Sequence, residues 1–308
     1  MAEEESTRFE PKVGSLMNDG YPRWKRVFWM ILAALVLFMI GKSILPELLE
    51  AGKEGVAIVR VEGPILDSYQ TVEELKTFAD DPLVKAIVIR IDSPGGGVAP
   101  SQEIYNAVKR VRRENNKTVV ASMGTVAASG GYYIAVATDR ILANPGTLTG
   151  SIGVIMQMAN FQELLEKIGV KSVVVKTGKF KDLGSPFRPM VEEERQLLES
   201  VMNDTLSQFI EAVAEGRSMD TAEVEQLADG RVFTGRQARS VLLIDEIGDL
   251  QDAIKLAGEL GGIEGTPRVL ETTKPFSFQE LLESTFLGGI RSLAPSRFSS
   301  PLLYLWVA

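Results

Sequence analysis

Apolar residues are not spread evenly along this chain. Near its start, "RWKRVFWMILAALVLFMIGKSIL" holds an unbroken apolar run from Val27 to Gly41. A membrane span needs about 20 such residues, and the segment 24–45 reaches that length if Lys42 snorkels to the interface. Trp24 and Trp29 suit a headgroup boundary, and Arg23, Lys25 and Arg26 ahead of the run hold the N-terminus in the cytoplasm. The pattern predicts a polar cytoplasmic tail over 1–23, a single-pass transmembrane signal anchor over 24–45 and a linker over 46–54. The bulk of the chain then lies across the plasma (inner) membrane, on its extracytoplasmic, periplasmic side. A signal peptide cleaved near "LEA" and a buried core helix are the competing readings.

From Gly55 the pattern changes. "VAIVRVEGPI" is β-branched, and "LVKAIVIRID" is a short apolar run of the kind that a buried parallel strand shows. "SQEIYNAVKRVRREN" has helical spacing, and "KTVVASMG" reads as another strand. "DRILANPGTLTG" and "VKSVVVKTG" follow as strands, with helical "FQELLEKIG" between them. Strands alternating with helices predict an α/β domain over 55–275, a mostly parallel sheet with flanking helices. Residues 192–216 predict a long helix whose stripe of Leu197, Leu198, Val201, Met202, Leu206, Phe209, Ile210 and Val213 packs on the domain. An amphipathic segment over 276–293 and apolar "SPLLYLWVA" make up a C-terminal segment, 276–308.

Composition narrows the chemistry. The 308 residues carry a formal charge of −8, which argues against nucleic acid as a partner. The chain has no His and no Cys. That excludes a Ser-His-Asp triad, a cysteine nucleophile and imidazole or thiolate zinc sites. Acid–base work falls to Lys, Asp, Glu or Tyr.

Two stretches invite chemistry. In "RIDSPGGGVAP" a strand ends in glycines that let backbone N–H groups approach a ligand, as an oxyanion hole, a phosphate cradle or merely a tight turn. Neither a P-loop nor a dinucleotide fingerprint is present. Ser93 lies in that loop, but Pro94 favours a structural turn there. In "VAASGGYYIA", Ser129 stands where a strand gives way to a helix, as a nucleophile or as an N-cap. Any base for it must be a lysine or a carboxylate. The loop "KTGKFKDLGSPFRPM" offers Lys176, Lys179 and Lys181. A free lysine is protonated at neutral pH, with a pKa of about 10.4, so such a base needs a dry site. Ser151 in "TGSIGV" is a further hydrogen-bonding candidate or a turn serine. Asp182 is an awkward neighbour for Lys181, because a close carboxylate stabilises the ammonium.

Taken together, "DSPGGG", "VAASGGYYIA", "TGSIGVI", "KTGKFKDLGSPFR" and "LADGRVFTGRQA...LLIDEIGDLQDAI" resemble the signal peptide peptidase A family of serine proteases, over about residues 55–260. The resemblance implies a ClpP/crotonase-like fold and a Ser-Lys dyad. Ser129 matches the nucleophile, Lys181 the general base, and Gly96 and Gly130 the oxyanion-hole donors. It implies no metal or cofactor. Its substrates are released signal peptides and other apolar peptides. The chain is similar to the short, single-unit form, which implies that Ser and Lys meet across a subunit boundary of a homo-oligomeric ring of eight protomers. A stomatin-associated membrane protease, a crotonase-like acyl-CoA enzyme and a non-catalytic assembly protein are the alternatives on the same fold.

Overall fold

The computed structural model of the chain describes residues 23–50, 52–272 and 303–305. The chain divides into two units, Met1–Gly52 and Lys53–Ala308. In the first, Arg23–Glu50 forms one helix, α1, of 28 residues, about 42 Å long at 1.5 Å per residue. Its side chains from Val27 to Met39 are exposed. Among the described residues, no helix is long and apolar enough to cross a membrane.

The second unit is built on a sheet. Its strands are β1 (Gly55–Glu62), β2 (Val84–Ser93), β3 (Gly95–Gly97), β4 (Thr118–Ala128), β5 (Arg140–Ala143), β6 (Leu148–Gly150), β7 (Val232–Thr234), β8 (Glu246–Ile247), β9 (Arg268–Glu271) and β10 (Leu303–Leu305). The helices are α2 (Tyr69–Asp80), α3 (Val98–Glu114), α4 (Gly130–Ala135), α5 (Gln162–Lys167), α6 (Glu192–Arg217), α7 (Thr221–Leu227), α8 (Gly235–Ser240) and α9 (Leu250–Leu260). The main sheet runs β7-β6-β4-β2-β1-β9, and β5 joins β4 to β8. Its pairs are parallel except β6 with β7. The α/β architecture with a mostly parallel sheet is therefore as the sequence pattern predicts.

Period-two alternation decides which helices cover which face. Val56 and Ile58 of β1, with Ala86, Val88 and Val120, pack on Ala253, Ile254 and Ala257 of α9. Ala57 and Val59 point the other way with Ile87, Ile89 and Ile91, toward Leu75, Ile104, Val108, Tyr132 and Phe209 of α2, α3, α4 and α6. Both faces are covered, so these strands read as continuous apolar runs. Ile87, Ile89 and Ile91 are fully buried, worth roughly 1.5–3 kcal/mol each. α9 starts cleanly because the Asp249 carboxylate accepts the N–H groups of Gln251 and Asp252 at 2.7 and 3.0 Å.

Two expectations are corrected. "VKSVVVKTG" forms no ladder, and Val173 and Val175 are 86% and 97% exposed. β-Branched residues favour strands by packing on a neighbour, and this segment pairs with none among the described residues. The stripe on α6 buries only in its second half, where Phe209, Ile210 and Val213 are covered while Leu197 and Val201 stay exposed. Of the C-terminal segment, only Leu303–Leu305 is described. The amphipathic segment expected at 276–293 and the tail expected at 1–23, up to residue 22, lie outside the described residues.

α4 is held by aromatics. Tyr133 packs between Tyr105 of α3, at 4.9 Å between ring centroids, and Phe209 of α6, at 5.0 Å. Phe209→Ala should therefore remove about 3–5 kcal/mol. The measurement is urea denaturation, with a lower midpoint at unchanged slope.

Candidate active site

β4 ends at Ala128, and the chain turns at Ser129 into α4. Ser129 has φ +54° and ψ −116°, a conformation costing a non-glycine residue about 1–3 kcal/mol. Neighbours hold it there. Its N–H donates to the Gly150 carbonyl at 2.8 Å, and its carbonyl accepts the Tyr133 N–H at 2.8 Å. The fully buried Tyr132 hydroxyl donates to the Leu243 carbonyl at 2.8 Å, and burial pushes its pKa up. A sharp, strained strand-to-helix turn is the geometry that presents a nucleophilic serine. Ser129 occupies the N-cap position, but its side chain makes no capping hydrogen bond, so the hydroxyl is not engaged in holding the helix.

The glycine strand lies beside this turn. β3 packs against α4, and a Cβ on Gly131 would come within 3.1 Å of the Ser93 carbonyl oxygen. Ser93 is buried, and its Oγ accepts the Gly95 N–H at 3.1 Å, so it holds the turn. The Ile65 N–H donates to the Gly95 carbonyl at 2.9 Å, and the Gly97 N–H to the Ile65 carbonyl at 2.8 Å. Successive residues of a strand direct their backbone groups to opposite edges, so the Gly96 N–H faces away from Ile65. A Cβ on Gly96 would lie 2.1 Å from the Ile65 carbonyl oxygen, so this close approach requires glycine. The edge that Gly96 faces carries β10: Leu303–Leu305 pairs antiparallel with β3, Tyr304 opposite Gly96. Gly130 opens α4, where N–H groups lack helical partners.

Ser151 follows β6, which pairs with Val126–Ala128 of β4. It has φ +51° and is buried, and its N–H donates to the Arg231 carbonyl at 2.8 Å. Because Ser129 donates to Gly150, the two serines stand one peptide apart across this junction. The fold thus gathers Ser129, Gly130, Gly96 and Ser151 around the ends of β2, β4 and β6.

Lys181 is placed differently. It sits on an exposed loop, its N–H donating to the Gly178 carbonyl at 3.2 Å. Among the described residues, no hydrogen bond joins it to Ser129 within the chain. The other two lysines of the loop are engaged: Lys176 pairs with Asp182 and Lys179 with Glu193. Lys181 has no ion pair among the described residues, a distinction that sequence could not draw. Asp182 does not turn to Lys181. The Arg188 guanidinium, and after it Lys176, holds its carboxyl well below the usual range. Sequence reading passed over Arg188; the charged residues "KD…R…EEER" in one short stretch were the available signal.

Comparison with known proteins identifies the family. The model described as Peptidase family S49 matches residues 111–264, half of the chain, and that described as Clp protease matches residues 57–147. A candidate protease of Synechocystis sp. is 43% identical over 208 residues, 68% of this chain and 72% of that protein. A candidate signal peptide peptidase SppA of Enterococcus faecium is 36% identical over 233 residues, 71% and 67% of the two chains. Protease 4 of Salmonella typhi is 32% identical over 256 residues, 80% of this chain and 41% of that protein.

The strain at position 129 has a measurable consequence. Ser129→Gly should stabilise the fold by about 1 kcal/mol, since glycine adopts this backbone without penalty. Thermal unfolding checks it, the expected outcome being a higher midpoint.

Proposed function

The chain belongs to peptidase family S49 and is a serine protease, and we propose that Ser129 and Lys181 form its catalytic dyad, with the Gly96 and Gly130 N–H groups as oxyanion hole. One observation carries this reading: a strained, uncapped Ser129 beside a glycine strand whose Gly96 N–H faces the edge that an extended chain occupies. In the reaction, Oγ attacks the peptide carbonyl carbon while neutral Lys181 takes the hydroxyl proton. The two N–H groups hold the developing oxyanion. Lys181 then gives its proton to the leaving nitrogen as the C–N bond breaks. Water attacks the acyl-enzyme, Lys181 takes the water proton, and Oγ recovers it as the acid product leaves.

The substrates are released signal peptides and other apolar peptides, bound extended along β3. The pairing of Leu303–Leu305 with Gly95–Gly97 supports this mode, because main-chain ladders of that kind accept any strand-forming chain. α1 anchors the domain: its exposed apolar run continues in the sequence through Ile40 and Gly41 toward Leu45. The N-terminus is cytoplasmic and the catalytic domain extracytoplasmic.

Lys181 reaches Ser129 of a neighbouring copy, in a homo-oligomeric ring of eight. Its loop follows a segment whose Val173, Val174 and Val175 are exposed, an apolar surface that a second copy would cover. Ser151, next to this junction, supplies a hydrogen-bond acceptor for the lysine amine.

Ser129→Ala and Lys181→Ala should each lower kcat/KM on an apolar peptide by about 10³-fold or more, and a fluorophosphonate should label Ser129. Full activity in either variant ends the reading. In a randomly mixed ring of the two inactive variants, about a quarter of the shared sites should regain both groups. Activity that stays at background in verified mixed rings would place both groups in one protomer.

A further inference from the structure

We propose that Arg188 is a positioning residue that clamps Asp182 away from Lys181 and cancels its charge, so that the neighbouring amine can work as a base. The inference rests on the reading of Lys181 as base and extends it to a residue that touches no substrate.

The clamp has two jaws. Arg188 Nε donates to Asp182 Oδ2 at 2.8 Å and Nη2 to Oδ1 at 2.9 Å, a bidentate fork. Nη2 also donates to the Asp182 carbonyl at 3.2 Å. On the other side Nη1 donates to Glu194 Oε2 at 2.8 Å, and Nη2 bonds Oε1. The Glu194 side chain is 3% exposed and also accepts the Val191 N–H at 3.2 Å, where α6 begins. One guanidinium therefore ties the residue next to Lys181 to the rigid start of a 26-residue helix. Lysine could not replace it, because this geometry uses several donors of a planar fork.

The charges of the loop and of the first turn of α6 balance through this clamp. On the loop, Lys176 and Arg188 offset Asp182 and Glu194, and Lys179 offsets Glu193. In the first turn of α6, Glu192 faces Arg195 at 3.8 Å. α5 adds Glu163, Glu166 and Lys167, with Glu166 accepting from Gln162 at 2.8 Å. Remove Arg188, and Asp182 is left with only Lys176 while Glu194 is left buried without its cation. A net negative charge beside an amine favours the ammonium form, and an ammonium cannot take the serine proton.

The test is the pH dependence of kcat/KM for the full-length, assembled protein on an apolar peptide. Arg188→Gln should move the acid limb toward higher pH by about one unit, a roughly 10-fold loss below that limb. Asp182→Asn should move it the opposite way, since two cations lose their shared partner. The double variant should return it toward the wild-type position. A limb that stays in place in Arg188→Gln, with only the plateau lowered, overturns the proposal and leaves Arg188 a purely structural tie. If Arg188→Gln does not fold, Asp182→Asn decides alone: an unmoved limb is the overturning result. Lys181→Ala run beside them separates the two claims, because activity there refutes the base and the clamp with it, whereas an unmoved limb with Lys181→Ala inactive refutes the clamp alone.

Discussion

The site depends on one backbone conformation that a serine does not adopt by itself. At Ser129 the chain must leave a parallel strand and enter a helix within one residue, at positive φ. Local preference opposes this by a few kcal/mol at most, and packing overrides it. The Gly150 carbonyl receives the serine N–H, the Tyr133 N–H binds its carbonyl, and the two tyrosines that follow are locked into the interior. Over-determination of this kind lets a strained residue persist, and it leaves the hydroxyl free of structural duties.

The same economy of backbone governs the glycine strand beside it. β3 is three glycines long, and Gly96 lies so close to Ile65 that no side chain fits between them. One edge of β3 is satisfied by Ile65, and the other is open to an extended chain, here Leu303–Leu305. A protease needs both properties at one place. The donor must be fixed before the charge develops, and the substrate backbone must be aligned against it. A parallel sheet meets the first demand, because its strand ends point the same way and deliver Ser93, Ser129 and Gly150 to one rim.

The lysine half of the site obeys a different physics. The buried sheet supports Ser129, whereas Lys181 rides on an exposed loop whose order comes from charge. Asp182, Arg188, Glu194, Lys176, Lys179 and Glu193 neutralise one another and leave Lys181 as the lysine of this loop without an ionic partner among the described residues. The apolar segment ahead of it, around Val173–Val175, is strand-like in sequence and unpaired among the described residues. Sequence reading failed at these valines because β-propensity reports fitness for a pleated surface and not the presence of a partner. The first half of the α6 stripe misled for the same reason: helical periodicity shows that a face is apolar, not what covers it.

Much of the protein was legible beforehand. Apolar runs at 56–61 and 86–91 announced buried parallel strands, and the absence of His and Cys confined the chemistry to a few side-chain types. Ser129 and the glycine loop stood out as places where a strand ends in small residues, while the roles of Gly96 and Gly130 came from the family resemblance. Those features are local, and composition and periodicity determine them residue by residue. Tertiary structure alone decided that the Ser129 side chain makes no capping bond, that Gly96 turns its N–H to the edge that β10 lines, that Ser151 lies one peptide from Ser129, and that Arg188 rather than Lys181 pairs with Asp182. Each joins residues distant in sequence or turns on where one side chain points, and a linear pattern carries no information on direction in space.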